Sequence, residues 1–299
     1  MKLTNITVKQ ILNQYNIGEF QSKTLVYNKW NTSYKIKTTQ GKYLLKILSF
    51  QNEKELKMEL KIMHRVKEQL PCVFPILSKK NTYFIRFQGF IVLIKNFVIG
   101  KPILRGQNLS DKNLAQLGKY YGLMHTTKPT SGLIKKDLYT DLQKFFENLA
   151  PTSEEYSIAQ STFALLKSHN FKPSALPKGI IHGDLHSQNI LVHKNKIVAI
   201  LDFEDAHIGA CIYDLGFSIL DTCWKKDSFS QKRIDIFLNA YERLRKITPK
   251  ERKYLMDSVI FSGLYTFHFL IIKNGVGNKN NSEYYTVKRF LKFLEISSP

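Results

Sequence analysis

His182-Gly-Asp184-Leu-His-Ser-Gln-Asn189, followed a short hairpin later by Asp202-Phe-Glu204, is the stretch that decides how this chain reads. An apolar pair, Ile180-Ile181, runs into the polar loop. Ile190 to His193 then reads as a strand, Lys194-Asn-Lys196 as a turn, and Ile197 to Leu201 as the returning strand. Such a hairpin carries a carboxylate, an amide oxygen and a second carboxylate at one end. That trio suits phosphoryl transfer: one carboxylate handles the attacking hydroxyl, and hard oxygen ligands hold a divalent cation on nucleotide phosphates.

Two other chemistries use the same residues. Gly183-Asp-Leu-His186 would fit a two-metal phosphoesterase, but the later Gly-Asp and Asn-His ligand pairs are missing. His182-x-Asp184-x-His186 has the residue types of a zinc site. Three alternating residues on one extended strand seldom wrap a single ion, however, and no fourth ligand cluster follows.

The spacing His182-x-Asp184-x₄-Asn189 with Asp202-Phe-Glu204 resembles the catalytic loop and metal-binding Asp of the protein-kinase-like superfamily. Gly183 in place of Arg, and Glu204 in place of Gly, are similar to its aminoglycoside phosphotransferase and choline kinase branch. Softer signs resemble the homoserine-kinase-like members: Tyr15-Asn-Ile-Gly18, Thr38-Thr-Gln-Gly-Lys-Tyr-Leu-Leu45, and Leu70-Pro71.

The resemblance implies an α+β, two-lobed fold. Residues 1–97 would form a nucleotide-binding lobe around a small antiparallel sheet, and 98–299 a mostly helical lobe with the catalytic loop and acceptor site. ATP would lie between them. Asp184 would orient and deprotonate the acceptor hydroxyl, while Asn189 and Asp202 would hold Mg²⁺. Lys46, inside the strand Lys42 to Leu48, would bind phosphates and pair with Glu59. Backbone groups around Lys95 to Phe97 would meet the adenine edge, and Asp214 would cap amides of the catalytic loop.

Two departures matter. No Gly-x-Gly-x-x-Gly lies between the first strands, which leaves the side chains of Asn31, Thr32 and Ser33 as candidates for phosphate contact. Only eleven residues separate Asp202 from Asp214, too few for a peptide-binding activation segment, so the acceptor should be a small molecule.

The rest of the chain reads around this centre. A short amphipathic helix is expected over 7–17, ended by Gly18, then strands Lys23 to Tyr27 and Thr32 to Thr38. A helix over 51–70 carries Leu56, Leu60, Met63, Val66 and Leu70 on one stripe. Strands Thr82 to Phe87 and Phe90 to Ile94 precede the linker Lys95 to Gly100. Beyond Ser110 the pattern is helical, with His125 closing one helix, a second over Asp137 to Leu149, and Thr152-x-x-Glu155 opening a third. Ser228-x-x-Gln231 opens another, and Thr248-Pro-Lys-Glu251 is a full start signal. Lys273 to Glu283 reads as a loop and Tyr284 to Leu294 as a last helix.

Forty-five Lys+Arg against 24 Asp+Glu give a net charge of +21, most of it from Lys. That favours anionic ligands such as a nucleotide. No cluster of five to eight basic residues marks a specific nucleic-acid patch. Three cysteines without metal spacing, no signal-like N-terminus and no apolar run of spanning length read together as a cytoplasmic chain without a membrane partner. Residues 98–299 carry 28 basic and 19 acidic side chains, a surplus that would disfavour polycationic acceptors. A small zwitterion such as homoserine is not penalised in this way. Arg105 or Arg233 would be the partner for its carboxylate.

Overall fold

Thr4 starts the first helix, its hydroxyl accepting the Thr7 amide at 3.1 Å. In the computed structural model, which describes residues 3–28, 31–49, 51–104, 107–147, 154–225, 228–274 and 289–292, this helix is α1 (Asn5–Leu12). It buries Val8, Ile11 and Leu12, each contributing about 1.5–3 kcal/mol of transfer free energy. Gly18 then turns the chain at φ +79°, where an added Cβ would lie 2.4 Å from the Thr39 hydroxyl.

Strands β1 (Phe20–Asn28), β2 (Thr32–Thr38), β3 (Gly41–Leu48), β4 (Ile85–Phe87) and β5 (Phe90–Asn96) form one antiparallel sheet in the order β1-β2-β3-β5-β4. Alternation splits its residues between two faces. Tyr34, Ile36, Leu45, Ile47, Val92 and Ile94 pack with α1 in one apolar core. Cross-strand partners share a face, so Ser33, Lys46 and Leu93 lie together on the other, beside Lys35, Leu44 and Lys95. Helix α2 (Glu53–Val66) begins with a full capping box between Asn52 and Glu55 and buries Leu56, Leu60, Met63 and Val66.

The chain separates into two compact units: Met1–Lys67 with Pro71–Ile99, and Glu68–Leu70 with Gly100–Pro299. The second opens with β6 (Lys101–Pro102), then α3 (Asp111–Thr126), α4 (Leu138–Glu147) and α5 (Glu154–Ser168). Next come β7 (Lys178–Ile181), β8 (Ile190–His193), β9 (Lys196–Ile200) and β10 (His207–Ala210). Helix α6 (Cys211–Thr222), the short strands β11 (Trp224–Lys225) and β12 (Ser228–Phe229), α7 (Gln231–Glu242), α8 (Pro249–Lys253) and α9 (Leu255–Asn274) complete it. Strands β6, β8 and β9 make one small sheet, and β7 pairs with β10 in another.

The β8–β9 turn has positive φ at both Lys194 and Asn195, the twist a two-residue hairpin needs. Thr248 and Glu251 make the expected capping box, with Pro249 in the first turn. Strand β5 runs two residues beyond Ile94, because its ladder with β3 continues through Lys95 and Asn96. The first two helices are shorter than their sequence patterns. Thr152, Arg105, residues 275–283 of the expected loop and most of the segment Tyr284 to Leu294 lie outside the described residues; Lys273 and Asn274, expected in that loop, still belong to α9, and 289–292 are helical. No helix among the described residues is long and apolar enough to cross a membrane.

Candidate active site

The second unit brings Asp184, Asn189 and Asp202 together through backbone register. Ile190 pairs with Ile200, and the Leu201 amide donates to the Asn189 carbonyl at 2.9 Å, which extends the ladder to the edge of the loop. Asn189 and Asp202 therefore emerge at the same end of the hairpin. The Asn189 side-chain NH₂ donates to the Asp184 carbonyl at 2.9 Å. This orients the amide, whose oxygen is the group the resemblance assigns to a cation. Asp202 is exposed and sits in the left-handed region at φ 61°, ψ 67°, a conformation that costs a non-glycine residue about 1–2 kcal/mol.

Gly183 has φ +80°, and a Cβ there would lie 2.7 Å from the Asp205 carbonyl, so the Arg of the protein-kinase pattern has no room at this position. His182 is fully buried. Its Nδ1 accepts the Asp184 amide at 3.4 Å, so Nε2 is the donor to the Leu201 carbonyl at 2.9 Å. Burial pushes its pKa down, as that neutral tautomer requires. Both ring nitrogens are committed, which removes His182 as a zinc ligand. Among the described residues no group of three or more His, Cys, Asp or Glu could hold a metal. One amide oxygen and one carboxylate remain, a sparse hard-oxygen set that fits Mg²⁺.

Helix α6 supports the loop from below. Asp214 accepts the His182 amide at 2.8 Å and the Gly183 amide at 3.0 Å. His125, the last-turn histidine of α3, bonds the same carboxylate through Nε2 at 3.1 Å and the Tyr241 hydroxyl through Nδ1 at 2.8 Å. Arg245 donates to that hydroxyl at 2.8 Å and to Glu251 at 2.7 Å. Burial raises the Asp214 carboxyl, but the bonds from His125 and the His182 amide outweigh it and leave the pKa below the usual value. Burial likewise lowers His125, yet Tyr241, Cys211 and Asp214 reverse the effect and hold it well above an ordinary imidazole. His125 was legible in sequence only as a helix end, since nothing local announces a partner 89 residues away. His186, weighed in the sequence only as a metal ligand, has its Nε2 3.8 Å from Asp184 Oδ2.

In the first unit Lys46 is half-buried on β3, on the face it shares with Ser33 and Lys95. Glu59 is buried; its Oε1 lies 3.9 Å from Lys95 Nζ and its Oε2 accepts from Gln51 at 2.9 Å. Lys95 thus contributes a side chain to this face, while its backbone pairs with Leu44 on one side and bridges Pro75 on the other. The Phe97 amide donates to the Lys42 carbonyl at 3.1 Å, and Lys35 Nζ lies 4.7 Å from the centre of the Phe97 ring. These bonds occupy backbone groups that the resemblance reserves for an adenine edge. The three loop candidates separate. Ser33 is on the Lys46 face, whereas Thr32 lies on the opposite face with its hydroxyl donating to Asn28 at 2.9 Å. Asn31 accepts the Ser49 amide at 3.1 Å.

The profile of the phosphotransferase enzyme family matches residues 29–247, more than half of the chain, with Lys46, Asp184, Asn189 and Asp202 inside the match. The chain belongs to that family. It is a kinase acting on a small molecule. A homoserine kinase of Methylobacillus flagellatus is 24% identical over 249 residues, covering 82% of this chain and 77% of the relative. That of Brucella anthropi is 23% identical over 316 residues, covering 99% and 95%. Among solved structures, a spectinomycin phosphotransferase with ADP and spectinomycin has a TM-score of 0.69 at 16% identity, covering 100% of this chain and 96% of that one. A microcompartment-associated aminopropanol kinase has a TM-score of 0.70 at 16% identity, covering 97% and 95%. These likenesses place the α+β fold among the kinase-like phosphotransferases.

Around the catalytic loop the surroundings are aromatic and acidic. Leu138, Gly183, Tyr213, Phe217, Phe261 and Tyr265 line a small recess. Burial, then the charges of Asp205, Asp141 and Asp184, raise the Tyr265 hydroxyl. Arg233 does not serve an acceptor. Its guanidinium donates to Thr222 O at 3.1 Å, Asp111 Oδ1 at 3.0 Å and Leu109 O at 2.8 Å, so each of its three nitrogens is committed to packing.

Proposed function

We propose that this phosphotransferase moves the γ-phosphoryl of ATP, with Mg²⁺, to the hydroxyl of a small amino acid or amino alcohol such as homoserine. The observation that carries this reading is the hydrogen-bonded loop in which Asp184, Asn189 and Asp202 meet at one hairpin end. Asp184, with its side chain 43% exposed, accepts the hydroxyl proton as the oxygen attacks phosphorus. Asn189 and Asp202 hold the cation, which neutralises charge on the phosphates. Lys46, on the sheet face that Glu59 approaches through Lys95, binds α- and β-phosphate oxygens, and Ser33 beside it donates a hydroxyl. Backbone groups from Lys95 to Phe97 other than the Phe97 amide, which the sheet holds, meet the adenine edge. Rate acceleration comes from positioning and charge neutralisation.

The homoserine kinase relatives support an amino-acid acceptor. The commitment of Arg233 to packing favours a second reading within the same class: an amino alcohol, which has no carboxylate for an Arg to pair with. Purified protein with Mg²⁺-ATP, assayed for ADP release against homoserine, ethanolamine-type alcohols and kanamycin, tests both. Turnover of homoserine or an amino alcohol with little of kanamycin is expected. Robust kanamycin turnover beside inert small acceptors would overturn the acceptor class.

A further inference from the structure

Asp221 has no part in the chemistry assigned above, yet its side chain is only 3% exposed. Its Oδ2 accepts the Ser187 amide at 2.7 Å. Ser187 opens the single 3-10 turn Ser187–Asn189 that delivers Asn189 to the hairpin end. Within that turn the Asn189 amide donates to the His186 carbonyl at 2.9 Å. Seven residues earlier on α6, Asp214 holds the amides of His182 and Gly183. Between the two, Ser218 donates to the Tyr121 hydroxyl at 2.8 Å, and Tyr121 in turn donates to the Leu185 carbonyl at 3.4 Å. Spacing of i, i+4 and i+7 puts Asp214, Ser218 and Asp221 on one stripe of the helix. One face of α6 therefore grips the catalytic loop at its start, its middle and its final turn.

A neutral acceptor would also bond one backbone amide, though less strongly than a carboxylate does. Burying an ionised carboxylate costs several kcal/mol. No cation is ion-paired with Asp221 among the described residues; Arg289 donates to its backbone carbonyl instead. A formal negative charge kept beside the turn that carries a metal ligand has an electrostatic use. It strengthens the field that attracts a divalent cation, and it locks the ligand's orientation.

We propose that Asp221 is a positioning residue for the metal: through Ser187 it fixes the turn that presents Asn189, as Asp214 fixes the turn that presents Asp184. The proposal rests on the kinase reading and adds a residue to it. Asp221→Asn should raise the Mg²⁺ concentration for half-maximal turnover on the order of tenfold, the size seen when outer-shell partners of metal ligands are lost. Turnover at saturating Mg²⁺ should recover most of its parent value. By calorimetry, Mg²⁺-linked nucleotide affinity should weaken, while Mg²⁺-free nucleotide affinity stays put. The Ser187 amide should exchange faster with solvent. Asp235→Asn, at an exposed site on α7 whose side chain bonds Gln231, is the control expected to change none of these. Should Asp221→Asn fold poorly, Asp221→Ser keeps a smaller acceptor in place and carries the same expectations. A variant that melts lower but keeps the parental Mg²⁺ dependence in turnover and calorimetry would overturn the proposal. Absence of turnover in the parent would instead sink the kinase reading, and calorimetry would still decide the role of Asp221.

Discussion

Replacing Asp214 by Ala should cost the second unit a large share of its stability, and the contacts indicate how much. Asp214 is 2% exposed and holds three hydrogen bonds: two backbone amides at 2.8 and 3.0 Å and His125 at 3.1 Å. Each buried amide left without a partner costs about 1–3 kcal/mol. Stripping a buried charged group of its counter-charge costs about 3–5 kcal/mol. Because the three partners form one network these costs are not additive, and a total of about 4–6 kcal/mol is expected. In a domain of this size class that lowers the melting temperature by about 10–20 °C. Urea unfolding followed through Trp224, which is 1% exposed within the same unit, reads the change directly. Asp214→Asn keeps one good acceptor and should lose roughly half as much. The pair Asp214→Asn and His125→Phe should show a coupling energy of about 1–3 kcal/mol in a double-mutant cycle. A loss below about 1 kcal/mol in Asp214→Ala would remove Asp214 from the loop-holding role.

Three further outcomes are expected. Asp184→Asn should lower kcat by about 10²–10⁴-fold while nucleotide affinity measured by calorimetry and the melting temperature stay near the parent values; near-normal kcat would take Asp184 out of the mechanism. Asp202→Gly should act in opposite directions, raising stability by about 1 kcal/mol because glycine accepts φ 61° without strain, and abolishing the Mg²⁺ dependence of nucleotide binding; intact Mg²⁺ linkage would count against Asp202 as a ligand. Burial, chiefly, depresses the His207 pKa, so below about pH 6.5 the unfolded chain takes up a proton that the fold refuses, and stability falls with acidity. His207→Gln should therefore flatten the acid limb of a stability-against-pH curve measured by urea unfolding, and an unchanged limb would show that His207 titrates normally. His125 has the opposite sign: its raised pKa gives a contribution that is full below about pH 6.5 and lost as pH rises through the folded value.

The catalytic hairpin was legible because its information is local. Strand alternation, a short polar turn and three polar residues at fixed offsets all lie within 182–202; the hairpin forms there, with Lys196, read as turn, already in the returning strand. The capping box at Thr248 was readable for the same reason. What stayed hidden acts across long stretches of chain. His125 meets an acid 89 residues away, Asp221 meets an amide 34 residues away, and Arg233 spends its donors on groups up to 124 residues distant. Lys95 was read as linker because a strand end carries no punctuation there; pairing with Leu44 and the reach to Glu59 keep it in the sheet. Thr32 and Ser33 look alike in sequence, yet one step of strand register sends them to opposite faces.

The most direct measurement is ³¹P NMR of the purified protein mixed with ATP, Mg²⁺ and a hydroxyl acceptor, beginning with homoserine and ethanolamine-type alcohols. The γ-phosphate signal should give way to a phosphomonoester resonance, in step with ADP, only when both acceptor and Mg²⁺ are present. Asp184→Asn should produce it orders of magnitude more slowly. ATP binding without any phosphomonoester across the acceptor panel, or slow release of inorganic phosphate that is the same in parent and Asp184→Asn, would contradict assignment of this loop to phosphoryl transfer onto a small-molecule hydroxyl.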